Sequence, residues 1–218
     1  MSQSDVILPS ELSIEDGVYL VRLARKAIEE YIKKGIKMEP DKLIDKKFMR
    51  RGMAFVTIER IVGTSEKELR GCIGFLQPIS SLARIVIESA IAAATEDPRF
   101  PPLKEEELEN IVIEVSILSP PMLTKNPMKD IIIGKHGIII SRGWNTGTLL
   151  PQVPIDYCWD VETFLAEGCL KAGLEPDCWY DNKTKIFIYE GRIFYEEKPY
   201  GDIKERDLAS ELSKKCKY

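Results

Sequence analysis

The sequence predicts an α+β fold whose strands are mainly antiparallel, because helical patterns alternate with strands joined by short turns. Apolar residues recur at helical spacing over 14–34, where Ser13 and Asp16 resemble a capping box. A second helical pattern over 81–95 has small residues along one face, which allows close packing on a sheet. Residues 53–62 are rich in β-branched and aromatic types and predict a strand.

The rest of the chain shows the same two periodicities. A polar turn at 63–67 predicts a hairpin between 53–62 and a second strand at 68–75. Residues 1–12 are polar, contain Pro9 and predict a loose lead-in. The other predicted elements are a short acidic helix at 103–109, a strand at 111–118, a hairpin with strands at 131–133 and 138–140, an edge strand at 148–154, a helix at 159–171 and a hairpin or strand pair at 185–196.

Composition predicts an ordinary folded protein. The 218 residues are 44% hydrophobic and 30% charged, and the formal charge of −4 gives no global basic field for nucleic acid. Five cysteines without a C-x-x-C pair predict reduced thiols in a cytoplasmic protein rather than a disulfide framework. No apolar run approaches the roughly twenty residues that span a bilayer. The charge-rich, isoleucine-rich composition indicates a heat-loving source.

The stretch 68–75 places an arginine and a cysteine two residues apart, each beside a glycine. In an extended strand Arg70 and Cys72 point to the same face, where a cation would favour the reactive thiolate. Gly71 and Gly74 let another segment or a ligand approach the backbone, or let the strand bulge. The structural alternative is a buried cysteine in a core strand, with Arg70 paired to a carboxylate.

A second unusual stretch, 97–102, contains three prolines that hold Asp97 and Arg99 with little freedom. A rigid loop with a carboxylate and a guanidinium predicts a positioned site. The structural alternative is that Asp97 caps the preceding helix and Phe100 fills the core.

His136 is the only histidine in the chain, and the pattern predicts it in the turn 134–137 of a hairpin. A histidine at a hairpin tip is usually a solvated turn residue. It is also the only side chain here whose ordinary pKa lies near neutrality, so it is a candidate acid or base.

With these pieces in place, the sequence resembles the AMMECR family, whose proteins have no established reaction. The resemblance rests on five ordered motifs, at 69–74, 97–102, 114–120, 134–137 and 149–153, and extends through 159–174. It implies an α+β fold with two unequal lobes of mainly antiparallel sheet and packed helices around a cleft. It also implies a single AMMECR-type domain over 1–218, a cytoplasmic location and a shared pathway with Memo-type and radical-SAM proteins.

The residues support two main functional hypotheses. The first is a cleft-binding module for a small anionic ligand or a protein partner such as a Memo-type or radical-SAM protein. Its candidate binding residues are Arg70, Gly71, Gly74, Arg99 and Gln152. The alternative is a thiol-dependent enzyme acting on a small anionic substrate, and its candidate catalytic residues are Cys72, His136 and Asp97.

A third hypothesis, nucleic-acid binding, is weaker. It rests on the mixed-sign basic run at 42–51 and on tail lysines after 213, without interleaved aromatics. The scattered cysteines and single histidine lack zinc-ligand spacing, and there is no P-loop or dinucleotide-binding glycine pattern. We therefore predict no metal, no cofactor and no membrane association.

Overall fold

The computed structural model describes residues 5–41, 45–63 and 66–216. The fold is α+β with antiparallel strand pairing, as the sequence predicts. In chain order the elements are α1 (Ile14–Lys34), β1 (Ala54–Val62), β2 (Glu66–Phe75), α2 (Leu82–Thr95), β3 (Ile111–Leu118), β4 (Met122–Thr124), α3 (Pro127–Asp130), β5 (His136–Arg142), β6 (Asn145–Leu149), α4 (Val153–Asp156), α5 (Val161–Lys171), β7 (Lys185–Glu196), β8 (Ile203–Glu205) and α6 (Leu208–Lys215). Short 3₁₀ helices lie at Pro9–Glu11, Lys46–Met49, Glu105–Asn110 and Cys178–Tyr180.

The chain divides into two compact units. The first contains the described residues as far as Leu118 together with Arg192–Arg206. The second contains Ser119–Gly191 and the described residues from Asp207 onward. The long strand β7 therefore contributes its residues before Arg192 to the second unit and the rest to the first.

The first unit is a sheet with its helices packed on one face. Its strand order is β2-β1-β3-β7, and β8 also pairs with β7. Lys67 on β2 lies 5.3 Å from the ring centroid of Tyr195 on β7, although two strands separate them. Because neighbouring strands in a flat sheet lie about 4.8 Å apart, this contact means that the sheet curls. The opposite face buries its aliphatic side chains against α1 and α2.

Helix α1 shows why the predicted boundaries hold. The Ser13 hydroxyl accepts the Asp16 N–H and the Asp16 carboxylate accepts the Ser13 N–H, so the capping box is present. At the other end Gly35 has φ +68°, a left-handed conformation that glycine adopts without steric cost. The predictions for 53–62, 81–95 and 111–118 are confirmed to within one residue.

The second unit has a sheet of order β4-β7-β5-β6 with α5 against it. Phe164 and Leu165 of α5 are fully buried with Ile138 and Ile140 of β5. Asp160 caps α5 by accepting the Thr163 N–H.

Three predictions between residues 131 and 196 are wrong. Residues 131–133 are not a strand, and β5 pairs instead with β6 through the turn at Gly143. The predicted edge strand 148–154 ends at Leu149, and Val153 begins a short helix because Pro154 is tolerated in a first helical turn. The predicted strand pair at 185–196 is one continuous strand through Gly191.

The predicted loose lead-in at 1–12 is also wrong where it is described. Val6 bridges Arg51, Ile7 is fully buried, and a 3₁₀ helix follows. The side chains of Ile7 and Leu12 pack in the hydrophobic core of the first unit. Part of the predicted turn 63–67 lies outside the described residues.

The prediction of reduced thiols is wrong for four of the five cysteines. Disulfides join Cys158 to Cys216 and Cys169 to Cys178, and only Cys72 is a free thiol. Pairs separated by 58 and 9 residues carry no recognisable spacing, so only the fold brings the sulfur atoms together. Within the described ranges, no helix combines the length and apolar character needed to cross a bilayer. The cytoplasmic location stays a prediction.

Candidate functional site

Cys72 lies on β2, the first strand in the sheet order β2-β1-β3-β7. It is one of three polar residues that lie side by side on the neighbouring strands β2, β1 and β3. It pairs with Thr57 of β1, and Thr57 pairs with Glu114 of β3. Paired residues share a face of a sheet, so these three side chains lie side by side. The Thr57 hydroxyl donates to Cys72 Sγ at 3.3 Å, and the Glu114 carboxylate is 3.4 Å from Arg206 Nη1.

Arg70 lies at a β-bulge. Ile58 pairs with Gly71 while the next residue, Glu59, pairs with Leu69, which leaves Arg70 as the extra residue of β2. The alternation that predicts Arg70 and Cys72 on one face does not apply across a bulge, because the extra residue shifts the register of the faces.

The bulge directs the Arg70 side chain to a carboxylate. Arg70 is 7% exposed, and its Nε and Nη2 donate to Glu107 at 2.8 and 3.1 Å. Its guanidinium carbon also lies 5.9 Å from the Phe100 ring centroid. This pairing is the structural alternative that the sequence left open.

Asp97 connects its loop to the outer edge of β2. The Asp97 carboxylate accepts the Cys72 N–H at 2.8 Å and the Arg99 N–H at 3.1 Å. It also accepts Arg99 Nε at 2.9 Å and Nη2 at 2.6 Å. The Arg99 guanidinium, helped by these backbone donors, lowers the pKa of Asp97 from 3.8 to about 2. The Asp97 side chain is 2% exposed and that of Arg99 is 45% exposed, so a buried anion holds a solvent-facing cation.

The Cys72 thiol is half-buried, and burial raises its pKa above the ordinary value. The Thr57 hydroxyl and the Arg99 charge act in the opposite direction, while Glu114 and Asp97 reinforce the increase. Arg99, rather than Arg70, is therefore the cation that acts on this sulfur. The net effect favours a neutral thiol near pH 7.

Gly71 and Gly74 allow close approach, as predicted, but the approaching groups belong to the protein. A Cβ at Gly71 would lie 2.0 Å from the Ala93 carbonyl oxygen of α2. A Cβ at Gly74 would lie 2.3 Å from the Ala54 carbonyl oxygen of β1. Both glycines have a packing role that explains them without a ligand.

His136 and Gln152 belong to the second unit. His136 is the first residue of β5 rather than a hairpin tip, it is buried, and its Nδ1 accepts the Ile132 N–H at 3.1 Å. Burial lowers the pKa of His136, and the Lys135 charge adds to this. Gln152 is buried, and its backbone carbonyl oxygen accepts hydrogen bonds from the N–H groups of Ile155 and Asp156 in the short helix α4. The pairing of His136 with Cys72 as base and nucleophile stays a prediction.

The family model for AMMECR1 matches residues 21–194. The chain belongs to the AMMECR1 family. Its relatives include a protein of Pyrococcus abyssi that is 47% identical over 203 residues, covering 91% of this chain and 99% of that protein. A protein of Methanopyrus kandleri is 47% identical over 207 residues, covering 92% and 98%. The crystal structure of an uncharacterised Pyrococcus horikoshii protein matches with a TM-score of 0.86 at 47% identity, covering 90% of this chain and 99% of that one.

The match shows the family of this chain and, through the solved structure, its fold. It assigns no reaction, because the relatives are named only as proteins. That all of 1–218 forms one AMMECR-type domain stays a prediction.

Three of the described cations in the basic run of this AMMECR1-family chain form ion pairs. Lys47 Nζ lies 2.6 Å from Asp16, and Arg50 Nη1 lies 2.6 Å from Glu11. Arg51 Nε is 3.7 Å from Asp5, and Lys42 lies outside the described residues. These carboxylates offset the positive charge that a nucleic-acid phosphate would need. Among the described residues, no group of three or more His, Cys, Asp or Glu side chains is placed to hold a metal.

Sequence reasoning missed Thr57, Glu107 and Glu114. Strand register places the first and third of these beside Cys72, and register between distant strands is not visible in one sequence. Glu107 lies in the predicted acidic helix, whose three consecutive glutamates signal a partner for a cation without saying which one.

Proposed function

We propose that this AMMECR1-family protein is a binding module, and that its first unit binds a small anion at Arg99. The single observation that carries the proposal is the asymmetric pair in which buried Asp97 fixes the solvent-facing Arg99 guanidinium. A guanidinium held in one orientation loses little side-chain entropy on binding, and this favours recognition of carboxylate or phosphate.

The hydrogen bonds of the pair support a directed site. Nε and Nη2 of Arg99 donate to Asp97, and within the described part of the chain Nη1 makes no hydrogen bond. The Arg99 guanidinium carbon lies over the Phe100 ring, 5.4 Å from its centroid. Because Asp97 offsets part of the positive charge, we expect affinity to depend on the two Nη1 donors rather than on a long-range field.

The proposal is tested by titrating the protein with inorganic phosphate and with malonate, followed by NMR shifts of backbone amides. We expect saturable shifts around Asp97–Phe100, and about tenfold weaker binding in Arg99→Ala, equivalent to about 1.4 kcal/mol. Arg60→Ala is the matched control, since the Arg60 side chain is 49% exposed and pairs with Glu68. The proposal is wrong if neither anion binds, or if both variants weaken binding equally.

A carboxylate on a protein surface presents the same chemistry as a free anion. A Memo-type or radical-SAM partner, which the family resemblance implies, would therefore be bound through the same guanidinium. Arg70 is left out of this site because its guanidinium is buried against Glu107.

A second function, a thiol-dependent enzyme with Cys72 as nucleophile, is favoured by one observation. Cys72 is the free thiol in a chain whose other cysteines are bridged, and a hydroxyl donor and a cation both act on it. The raised pKa weighs against it, because the thiolate is the reactive form. Titration of this thiol decides between the two functions.

A further inference from the structure

The two disulfides of the second unit differ in their access to solvent. Cys169 is fully buried and Cys178 is 2% exposed, so no thiol in solution reaches that bridge without local unfolding. In the other bridge Cys216 is buried but Cys158 is exposed. Thiol–disulfide exchange needs a thiolate to reach a sulfur atom, so the Cys158–Cys216 bridge is the accessible one.

The backbone at Cys158 adds to this difference. Cys158 has φ +51°, in the left-handed region that is disfavoured for a residue with a Cβ. Breaking the bridge would allow this residue to relax, whereas neither Cys169 nor Cys178 has a positive φ.

The bridge attaches a short helix to the rest of the second unit. Helix α6 has eight residues, and Leu208 is its only buried side chain. Isolated helices shorter than about 12–15 residues are marginal in water, so α6 depends on its contacts with the rest of the unit. One ion pair of the helix, Lys215 Nζ to Asp156 at 3.7 Å, joins two half-exposed side chains, and such a pair adds little.

Helix α6 covers a part of the second unit that contains two of the sequence motifs. Its Leu208 carbonyl oxygen would lie 3.4 Å from a Cβ at Gly134, the first residue of the motif 134–137. The helix also packs on α4, which follows Gln152 and contains the fully buried Ile155. The carbonyl oxygen of Ile155 lies 3.8 and 3.5 Å from the two sulfur atoms of the bridge.

We propose that Cys158–Cys216 is a thiol–disulfide exchange site for a dithiol reductant, and that its reduction releases α6 from the surface formed by Gly134 and α4. This inference does not depend on the proposed anion site, because all of its residues lie in the second unit. Its consequence is that a reductant controls access to the motifs at 134–137 and 149–153 in the second unit.

The exchange balances in two steps. A thiolate of the dithiol attacks Cys158 Sγ, the S–S bond breaks, and Cys216 leaves as a thiolate that takes a proton. The second thiolate of the reductant then attacks the mixed disulfide and expels the Cys158 thiolate, which is also protonated. The protein gains two electrons and two protons, and the dithiol is oxidised to its own disulfide.

The buried bridge provides an internal control. The full chain, purified under oxidising conditions, is incubated with increasing dithiothreitol, quenched with iodoacetamide and analysed by peptide mass spectrometry. We expect Cys158 and Cys216 to be alkylated at a dithiothreitol concentration at least about tenfold lower than Cys169 and Cys178 require. The proposal is overturned if the two bridges open together, if the buried bridge opens first, or if Cys158 and Cys216 are alkylated before reductant is added.

Hydrogen exchange tests the release of α6. After selective reduction we expect the amides of Leu208–Cys216 to exchange at least about tenfold faster, while those of β5 keep their protection. Cys216→Ser should show the same pattern without reductant. Unchanged exchange in α6 would overturn the release, and an equal increase in β5 would show that the bridge holds the whole unit rather than the helix. If Cys216→Ser loses protection throughout, the selectively reduced natural chain decides.

Discussion

Two arginine–carboxylate pairs place their guanidinium groups within 6 Å of the Phe100 ring centroid, and they are opposite in burial. In the Arg70–Glu107 pair the arginine side chain is 9% exposed and the carboxylate 22%. In the Arg99–Asp97 pair the carboxylate is 2% exposed and the arginine 45%. The same two chemical groups therefore serve different purposes, because the buried partner is fixed by the fold while the exposed one can meet another molecule. Arg70 stabilises the bulge of β2, and Arg99 is presented to solvent.

The largest expected effect is a loss of stability when the buried Arg70 is replaced. Arg70→Ala removes the donors to Glu107 and leaves that carboxylate partly buried without its partner. Breaking a buried pair in this way costs about 3 kcal/mol, and solvent access to Glu107 keeps the loss at the lower end of the observed range. The measurement is the free energy of unfolding in urea, with Arg60→Ala as the exposed control. A loss no greater than that of the control would show that the Arg70–Glu107 pair has no special role.

The second-largest expected effect is on the pH dependence of stability, through the buried Asp97 carboxylate. Because the pKa of Asp97 is lowered from 3.8 to about 2 in the folded protein, its ionised form favours folding. This contribution is fully present above about pH 4 and is lost as the pH falls towards 2. A shift of this size corresponds to about 2 kcal/mol.

The measurement compares unfolding free energies of the natural chain and Asp97→Asn between pH 5 and pH 2. The natural chain should lose about 2 kcal/mol more than the variant over that range, since the amide does not titrate. Glu68→Gln, which alters an exposed pair, is the control and should follow the natural chain closely. Parallel curves for the natural chain and Asp97→Asn would contradict the ionic role of Asp97.

How much of the fold could be predicted depended on the length and regularity of each segment. Helix α1 repeats its apolar positions over 21 residues between a capping box and a left-handed glycine, so both its type and its ends were predictable. The strand predicted for the isoleucines at 131–133 is wrong because a run of three apolar residues cannot distinguish a strand from a turn with one buried side chain. Here Ile131 is buried after the short helix α3, while Ile132 is exposed.

The candidate site was predictable only in part, for a related reason. Alternation along a strand suggested that Arg70 and Cys72 share a face, but a one-residue bulge changes that relation, and Gly71 allows a bulge without showing that one forms. Asp97 and Arg99 were recognised because their loop is stiffened by prolines, a local property. The contact of Asp97 with the Cys72 backbone joins residues 25 positions apart, and it depends on how α2 and its following loop pack.

The smallest effect distinguishes the two arginines by their influence on the Cys72 thiol. The rate of iodoacetamide labelling as a function of pH gives the pKa of this thiol, which we expect above the ordinary value of about 8.5 because burial disfavours the thiolate. Arg99→Ala should raise it further, because the Arg99 charge favours the thiolate, but only slightly, since the guanidinium is half-exposed and screened. Arg70→Ala should leave it nearly unchanged, provided that the circular dichroism spectrum shows a folded chain.

The reverse ranking of the two variants would return Arg70 to the role that the sequence first suggested. A midpoint well below 8.5 in the natural chain would favour the thiol-dependent enzyme, because a thiol that is ionised near neutral pH inside a half-buried site has been activated rather than merely packed.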